Sequence, residues 1–110
     1  MMIPLRGEVW WVALDPTRGS EIQKTRPCVV ITGDDVNRWR NTHVVVGLSS
    51  TAPRKWPIYV PVPSVSPKTQ AVIDQVRAVD KSRFGKRKGS VSAEDMERID
   101  EALRVVLDLE

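Results

Sequence analysis

The apolar residues of this chain arrive in short β-branched runs, each cut off by proline, glycine or a cluster of charge. Glu8–Leu14, Pro27–Thr32, Val44–Leu48, Ile58–Val62, Gln70–Ile73 and Gln75–Val79 have the β-branched and aromatic content of strands. Pro27 stands first in its run, where a missing N–H does least harm, and Pro61 inside the fourth run demotes it to a sheet edge. Many short strands with frequent turns predict a small antiparallel barrel or sandwich. One segment has a different period. Met96, Ile99, Leu103 and Val106 recur at helical spacing after Ser92 and Asp95, which resemble a capping box with a shortened acid. On that helix Asp100 and Arg104 stand four apart and can pair. The predicted fold class is mainly β with a C-terminal α-helix, one domain over residues 1–110.

At 110 residues and 41% hydrophobic content the chain can build one core. No stretch approaches the ~20 apolar residues that span a bilayer, and no basic-then-apolar leader opens the sequence. The single cysteine, Cys28, lies in an apolar run and reads as a buried thiol. A cytoplasmic protein is the expectation. The net charge of +3 conceals a strong asymmetry. Residues 92–110 carry seven acids against two bases, a net −5, while the rest carries fifteen bases against seven acids, a net +8. A basic body suits a polyanion such as nucleic acid, though ordinary solubility charge would look the same.

Arg26 is the candidate for chemistry. Pro27 biases it toward extended backbone, so its side chain leaves a strand mouth at a set angle. A guanidinium held there can grip a phosphate through two parallel N–H bonds, or can simply pair with Glu21 or Glu8 on the surface. His43, the only histidine, begins an apolar run and reads as structural. Asp34-Asp35 suits a turn or helix N-cap better than a metal, and no Cys/His cluster or calcium loop is visible. No cofactor or metal is expected. Trp10, Trp11 and Trp39 suit a core or a dimer interface. Trp56, beside Arg54 and Lys55, suits base stacking and burial at a dimer or barrel edge equally.

A series of short motifs stands in a telling order. Asp15-Pro16, Gly19-Ser20-Glu21 and Arg26-Pro27 precede an apolar strand; Asp34-Asp35-Val36-Asn37-Arg38 follows it. Gln75-Val76-Arg77-Ala78-Val79-Asp80-Lys81-Ser82-Arg83 comes next, and Gly89-Ser90-Val91-Ser92 leads to Met96 and Asp100-Glu101-Ala102-Leu103. Together they resemble the MazF/PemK family of toxin endoribonucleases across nearly the whole chain. The resemblance implies an SH3-like barrel of the CcdB/MazF type, a homodimer, single-stranded mRNA as substrate, and an antitoxin whose acidic tail covers a basic groove. It implies cleavage at a short sequence without metal, through the RNA's own 2′-hydroxyl, leaving a 2′,3′-cyclic phosphate and a 5′-hydroxyl. Arg26 would be catalytic. The family's second catalytic residue is a threonine at the end of the third strand, and that position falls on Ser49, a departure that keeps the hydroxyl but loses the methyl that restricts χ1. Ser50 or Thr51 would take its place if the strand were offset. Ser20, Glu21, Gln75 and Arg77 would contact RNA, with Asp74 standing where a longer acid is expected.

Two other readings stay open. A CcdB-like gyrase poison shares the fold, but that family's C-terminal Trp-Gly-Ile is not found in Leu107-Asp108-Leu109-Glu110. A non-catalytic barrel that only binds nucleic acid would need neither Arg26 nor a nearby hydroxyl.

Overall fold

The computed structural model describes residues 2–14 and 24–110. Six antiparallel strands form one sheet: β1 (Glu8–Ala13), β2 (Thr25–Val30), β3 (Thr42–Ser49), β4 (Tyr59–Pro61), β5 (Gln70–Asp80) and β6 (Phe84–Ser90), in the order β4-β5-β3-β2-β1-β6. Among the described residues two α-helices, α1 (Asp34–Trp39) and α2 (Ala93–Val106), and a single 3-10 turn at Lys81–Arg83 complete it. None of the described helices is long and apolar enough to cross a membrane. As expected, β4 with Pro61 lies at an edge.

Alternation sorts the strands' side chains onto two faces. Val9, Val29, Val46, Ala71 and Ile73 face α2, where Ile99, Ala102 and Leu103 seal them, with Met96 and Val106 packed at the margin. Trp10, Val12, Cys28, Val30, Val45 and Val79 form a second core on the opposite face, closed by Leu14 and Phe84. Cys28 is fully buried there, and burial pushes its thiol up to about 12, so it is an inert packing group.

Several elements depart from the sequence reading. Pro27 is the third residue of β2, opposite Trp11 on β1. The two runs Gln70–Ile73 and Gln75–Val79 are one strand with a register irregularity against β3, between the pairs Val45↔Arg77 and Gly47↔Val72. The segment Phe84–Ser90, with Lys86, Arg87 and Lys88, shows no apolar alternation because it is a solvated edge strand, and charge is what such an edge tolerates. Asp34 and Asp35 occupy the first turn of α1, the dipole-favoured place for acids, and Gly33 is the cap. Trp39 is 87% exposed and belongs to no core. Asp100 pairs with Arg6 rather than Arg104, which takes Glu101 at 3.3 Å, because Asp100 faces the N-terminal segment.

The shortened capping box is completed by a third residue. Ser92 Oγ accepts from Asp95 N–H at 3.1 Å, but the Asp95 carboxylate reaches Ser64 instead of the Ser92 N–H. Ser64 Oγ accepts that N–H at 3.0 Å. Burial alone would raise the Asp95 pKa; the hydroxyl and N–H of Ser64 and the charge of Arg98 outweigh it and hold the carboxyl below its usual range.

α1 is tied to the sheet by a buried polar chain. Asn37 Nδ2 donates to Thr32 C=O at 2.9 Å, and Asn37 Oδ1 meets His43 Nδ1 at 2.9 Å. The ring lies edge-on to Phe84, and among the described residues His43 Nε2 has no partner. His43 is structural, as its position in an apolar run implied. Desolvation lowers its pKa, the nearby Lys81 lowers it further, and Asp80 partly opposes both. A depressed histidine pKa favours the unfolded state as protons are added. The His43 contribution to stability, measured by urea unfolding, is expected to be flat above the free-histidine pKa of about 6.5 and to fall below it, by at most ~1.4 kcal/mol per pH unit. His43→Gln should remove that component of the slope.

Candidate active site in the gap between two strands

Ile31 N–H donates to Val44 C=O at 2.9 Å. Bonded pairs alternate along an antiparallel ladder, so the pairs due next are Val29 with Val46 and Pro27 with Leu48. Pro27 has no N–H to give. The β2–β3 pairing ends at Cys28↔Gly47, and beyond it the strand ends leave room for a cavity. Continuing that register by two residues sets Ser49 opposite Arg26. Both share the face of Cys28 and Val45, away from α2.

The cavity has a volume of about 570 Å³. Arg26, Ser49, Gln75 and Arg77 all line it, together with Lys24 and Tyr59. The irregularity in β5 explains how a distant strand contributes. Ala71 and Ile73 face α2, and strict alternation would send Gln75 and Arg77 there too. The extra residues reverse the phase, so Val72, Gln75 and Arg77 all open on the cavity. Arg77 and then Arg26 each lower the Cys28 pKa against its burial, so both guanidinium charges lie within reach of the same buried sulfur. The described lining holds three cations and no carboxylate. Glu8, a possible partner for Arg26, is engaged elsewhere: it meets Arg87 Nε at 2.8 Å and accepts from Leu5 N–H and Trp10 Nε1.

Ser49 has a local anchor. Its Oγ accepts from Thr51 N–H at 3.2 Å and lies 3.3 Å from Thr51 Oγ1. That bond restricts the side chain in place of the absent methyl, so the local backbone role and an ordered hydroxyl coexist. Gln70, paired with Ser49 across the ladder, donates its amide to Ala52 C=O at 3.0 Å and pins the turn that follows. Thr51 and Ser50 line a second cavity on the other side of the gap and do not line the first.

Ser20 and Glu21 lie outside the described residues. Trp56 is 52% exposed and sits in a surface hollow with Glu94, Glu97 and Arg98 on α2, away from Arg26. Lys24 and Tyr59 went unread in the sequence. Lys24 carried no signal beyond its charge, and Tyr59 arrives only through its pairing with Val72. Among the described residues no three His, Cys, Asp or Glu side chains gather as a metal site would require.

A small antiparallel sheet, backed by a C-terminal helix, opens a cationic cleft at a parted strand pair, a site suited to an anion. Comparison with known proteins makes this specific. Residues 5–107 match the family model described as PemK-like, MazF-like toxin of type II toxin-antitoxin system. Endoribonuclease MazF9 of Mycobacterium tuberculosis is 35% identical over 113 aligned positions, covering 94% of this chain and 96% of the relative. Endoribonuclease EndoA of Bacillus subtilis is 31% identical, covering 98% and 97%. A mycobacterial endoribonuclease solved in complex with its cognate antitoxin superposes with a TM-score of 0.79 at 25% identity, covering 97% of each chain. The chain belongs to the PemK-like, MazF-like toxin family, and its fold is that of the MazF toxins.

The register separates the hydroxyl candidates. Ser49→Ala is expected to lower kcat for RNA cleavage with little change in KM, and Ser49→Thr to retain activity. Full activity in Ser49→Ala with inactivity in Thr51→Ala would move the site across the gap.

Proposed function

We propose that this chain is the toxin of a type II toxin–antitoxin pair, an endoribonuclease that cuts single-stranded mRNA at a short sequence without a metal ion. The observation that carries this is the convergence of Arg26, Ser49, Gln75 and Arg77 on one cleft whose described lining has cations and hydroxyls but no carboxylate. The RNA's 2′-hydroxyl attacks the adjacent phosphorus, and the bond from phosphorus to the 5′-oxygen breaks. The products are a 2′,3′-cyclic phosphate and a 5′-hydroxyl. The negative charge that builds on the phosphoryl oxygens is met by the planar guanidinium of Arg26, with Arg77 lining the same cleft. Ser49 Oγ–H donates a hydrogen bond to an oxygen of the same group, while solvent takes the proton of the 2′-hydroxyl and returns one to the departing 5′-oxygen. Gln75 presents an amide that can read a base edge, while Arg77 holds the backbone. Ser20 and Glu21 are assigned RNA contacts on the family resemblance. The partner is an antitoxin whose acidic, extended tail competes for this cationic cleft, a reading supported by the related endoribonuclease solved with its antitoxin. The active species is a homodimer, and its compartment is the cytoplasm.

Single-turnover cleavage and RNA affinity, measured together, test this. Arg26→Ala should keep its fold, because the side chain is exposed, and lose roughly 10²-fold or more in kcat, the scale of deleting an oxyanion donor. Arg26→Lys should recover little, and binding should fall far less than cleavage because other cations remain. Near-wild-type cleavage by Arg26→Ala would refute the site.

The nucleophile is tested separately. A substrate with deoxyribose at the scissile position should bind and stay intact, and ordinary RNA should be cut in excess chelator. Cutting of the deoxy substrate, or rescue of a chelated enzyme by a divalent ion, would overturn the mechanism.

A further inference from the structure

A second cavity, of about 710 Å³, meets the first at Lys24, Arg26, Leu48 and Ser49. The two lie on opposite faces of the sheet. Arg26 and Ser49 point away from α2, whereas Trp11, Pro27 and Leu48 share the faces of Val9, Val29 and Val46, which point toward it. They join only because the β2–β3 ladder has stopped. The gap therefore forms a pass over the rim of the sheet, with the Arg26–Ser49 pair at its crest.

The far side of this pass carries an aromatic platform. Trp11 is 38% exposed, and Lys88 Nζ sits 5.6 Å from its ring centroid. Lys88 is placed there by a β-bulge. Val9 pairs with Gly89 but Trp10 with Arg87, leaving Lys88 as the extra residue. A second irregularity follows between Trp10 and Val12. A Cβ on Gly85 would come within 3.3 Å of the Trp11 carbonyl, so glycine permits this approach of β6. The described lining here is again free of carboxylates, with Lys24 and Lys88 as cations and Ser66 and Thr69 as hydroxyls.

We propose that Trp11 and Lys88 form a nucleotide subsite on the far side of the scissile phosphate, and that the RNA is bent over the sheet rim between this subsite and the Gln75–Arg77 side. The proposal rests on the reading of the cleft as an RNA site. A base stacks on the exposed face of Trp11, while Lys88 leaves the ring to meet the neighbouring phosphate. An exposed indole beside cationic side chains is a platform that any base can use. The bend has a chemical use. Attack of a 2′-oxygen on its own phosphate needs that oxygen in line with the departing 5′-oxygen, a geometry that stacked neighbours oppose. Splaying the two nucleotides onto opposite faces removes that stacking at the bond to be cut. Duplex RNA cannot be splayed in this way, which accounts for a single-strand requirement.

The test uses a fluorescent oligoribonucleotide carrying deoxyribose at the scissile position, so that binding is read without cleavage. An abasic site is moved through it one position at a time. Wild type is expected to lose about tenfold in affinity when the base at one position flanking the scissile bond is removed. Trp11→Leu, which keeps apolar bulk without the π face, should bind the intact oligonucleotide about tenfold more weakly and show no further loss at that position. Trp11→Phe should restore the penalty. Lys88→Ala should reduce the salt dependence of binding by about one phosphate's worth. An abasic penalty in Trp11→Leu equal to that of wild type at every position would overturn the subsite. So would unchanged RNA binding in Trp11→Leu with weakened binding of an acidic antitoxin-tail peptide, which would assign the platform to protein. Wild-type cleavage of the ordinary oligonucleotide, run alongside, reports independently on the endoribonuclease reading.

Discussion

The site exists because one hydrogen bond cannot form. In an antiparallel ladder the donors of β2 alternate between its two neighbours, and the Ile31–Val44 bond makes the odd-numbered residues those that face β3. Pro27 is the odd-numbered residue at which the next donor is due, and it has none. β2 continues to pair with β1 through Thr25, so the strand is held while its other edge is free. Arg26 is thus fixed in backbone yet open in side chain, beside a gap that Ser49 faces from the other strand. A proline at the same point of an edge strand would leave no such gap.

A rigid frame makes a gap useful. The second core, with Cys28, Val30, Val45 and Val79, lies directly behind Arg26 and Arg77 on the same face. Two guanidinium groups repel each other, and the sheet's pairings hold their strands together there. The same arrangement raises the local positive potential, which favours an anion in the cleft. The opposite end of the charge asymmetry, the acidic α2, lies on the other face. Its burial against β4 and β5 is secured by Ile99, Ala102 and Leu103 and by the Ser64 bridge between Asp95 and the helix entry.

Departures from regular pleating do much of the positioning. The irregularity in β5 reverses side-chain phase and turns Gln75 and Arg77 toward Arg26. The bulge in β6 leaves Lys88 over Trp11. Each inserts residues that have no partner across the ladder, a local loss of hydrogen bonding that persists because strongly paired residues flank it. Both irregularities serve cationic or amide side chains that would otherwise point at the hydrophobic core, where an unpaired charge could not be held.

By itself the sequence determined the element types with the strongest patterns. The β-branched runs became β1, β2, β3 and β4, the helical period became α2, and the Arg26-Pro27 step marked where the β2–β3 pairing ends, because proline acts on its own neighbours. The order of the motifs carried the family and so the activity. Short-range pattern could not reveal β6, whose charged residues suit an edge only once β1 is beside it, nor the fusion of two runs into β5. The tertiary structure decided which hydroxyl faces Arg26, since that depends on the register of two strands and not on the spacing within one. It also decided that Gln75 and Arg77 join the cleft, because a phase reversal in one strand is visible only against its partner. It placed Tyr59 and Trp11 in the cavity walls, since both depend on what stands across the ladder, and sent Trp39 to the surface. Backbone chemistry is local and can be read residue by residue; which side chains meet is a property of pairing, and pairing is long-range.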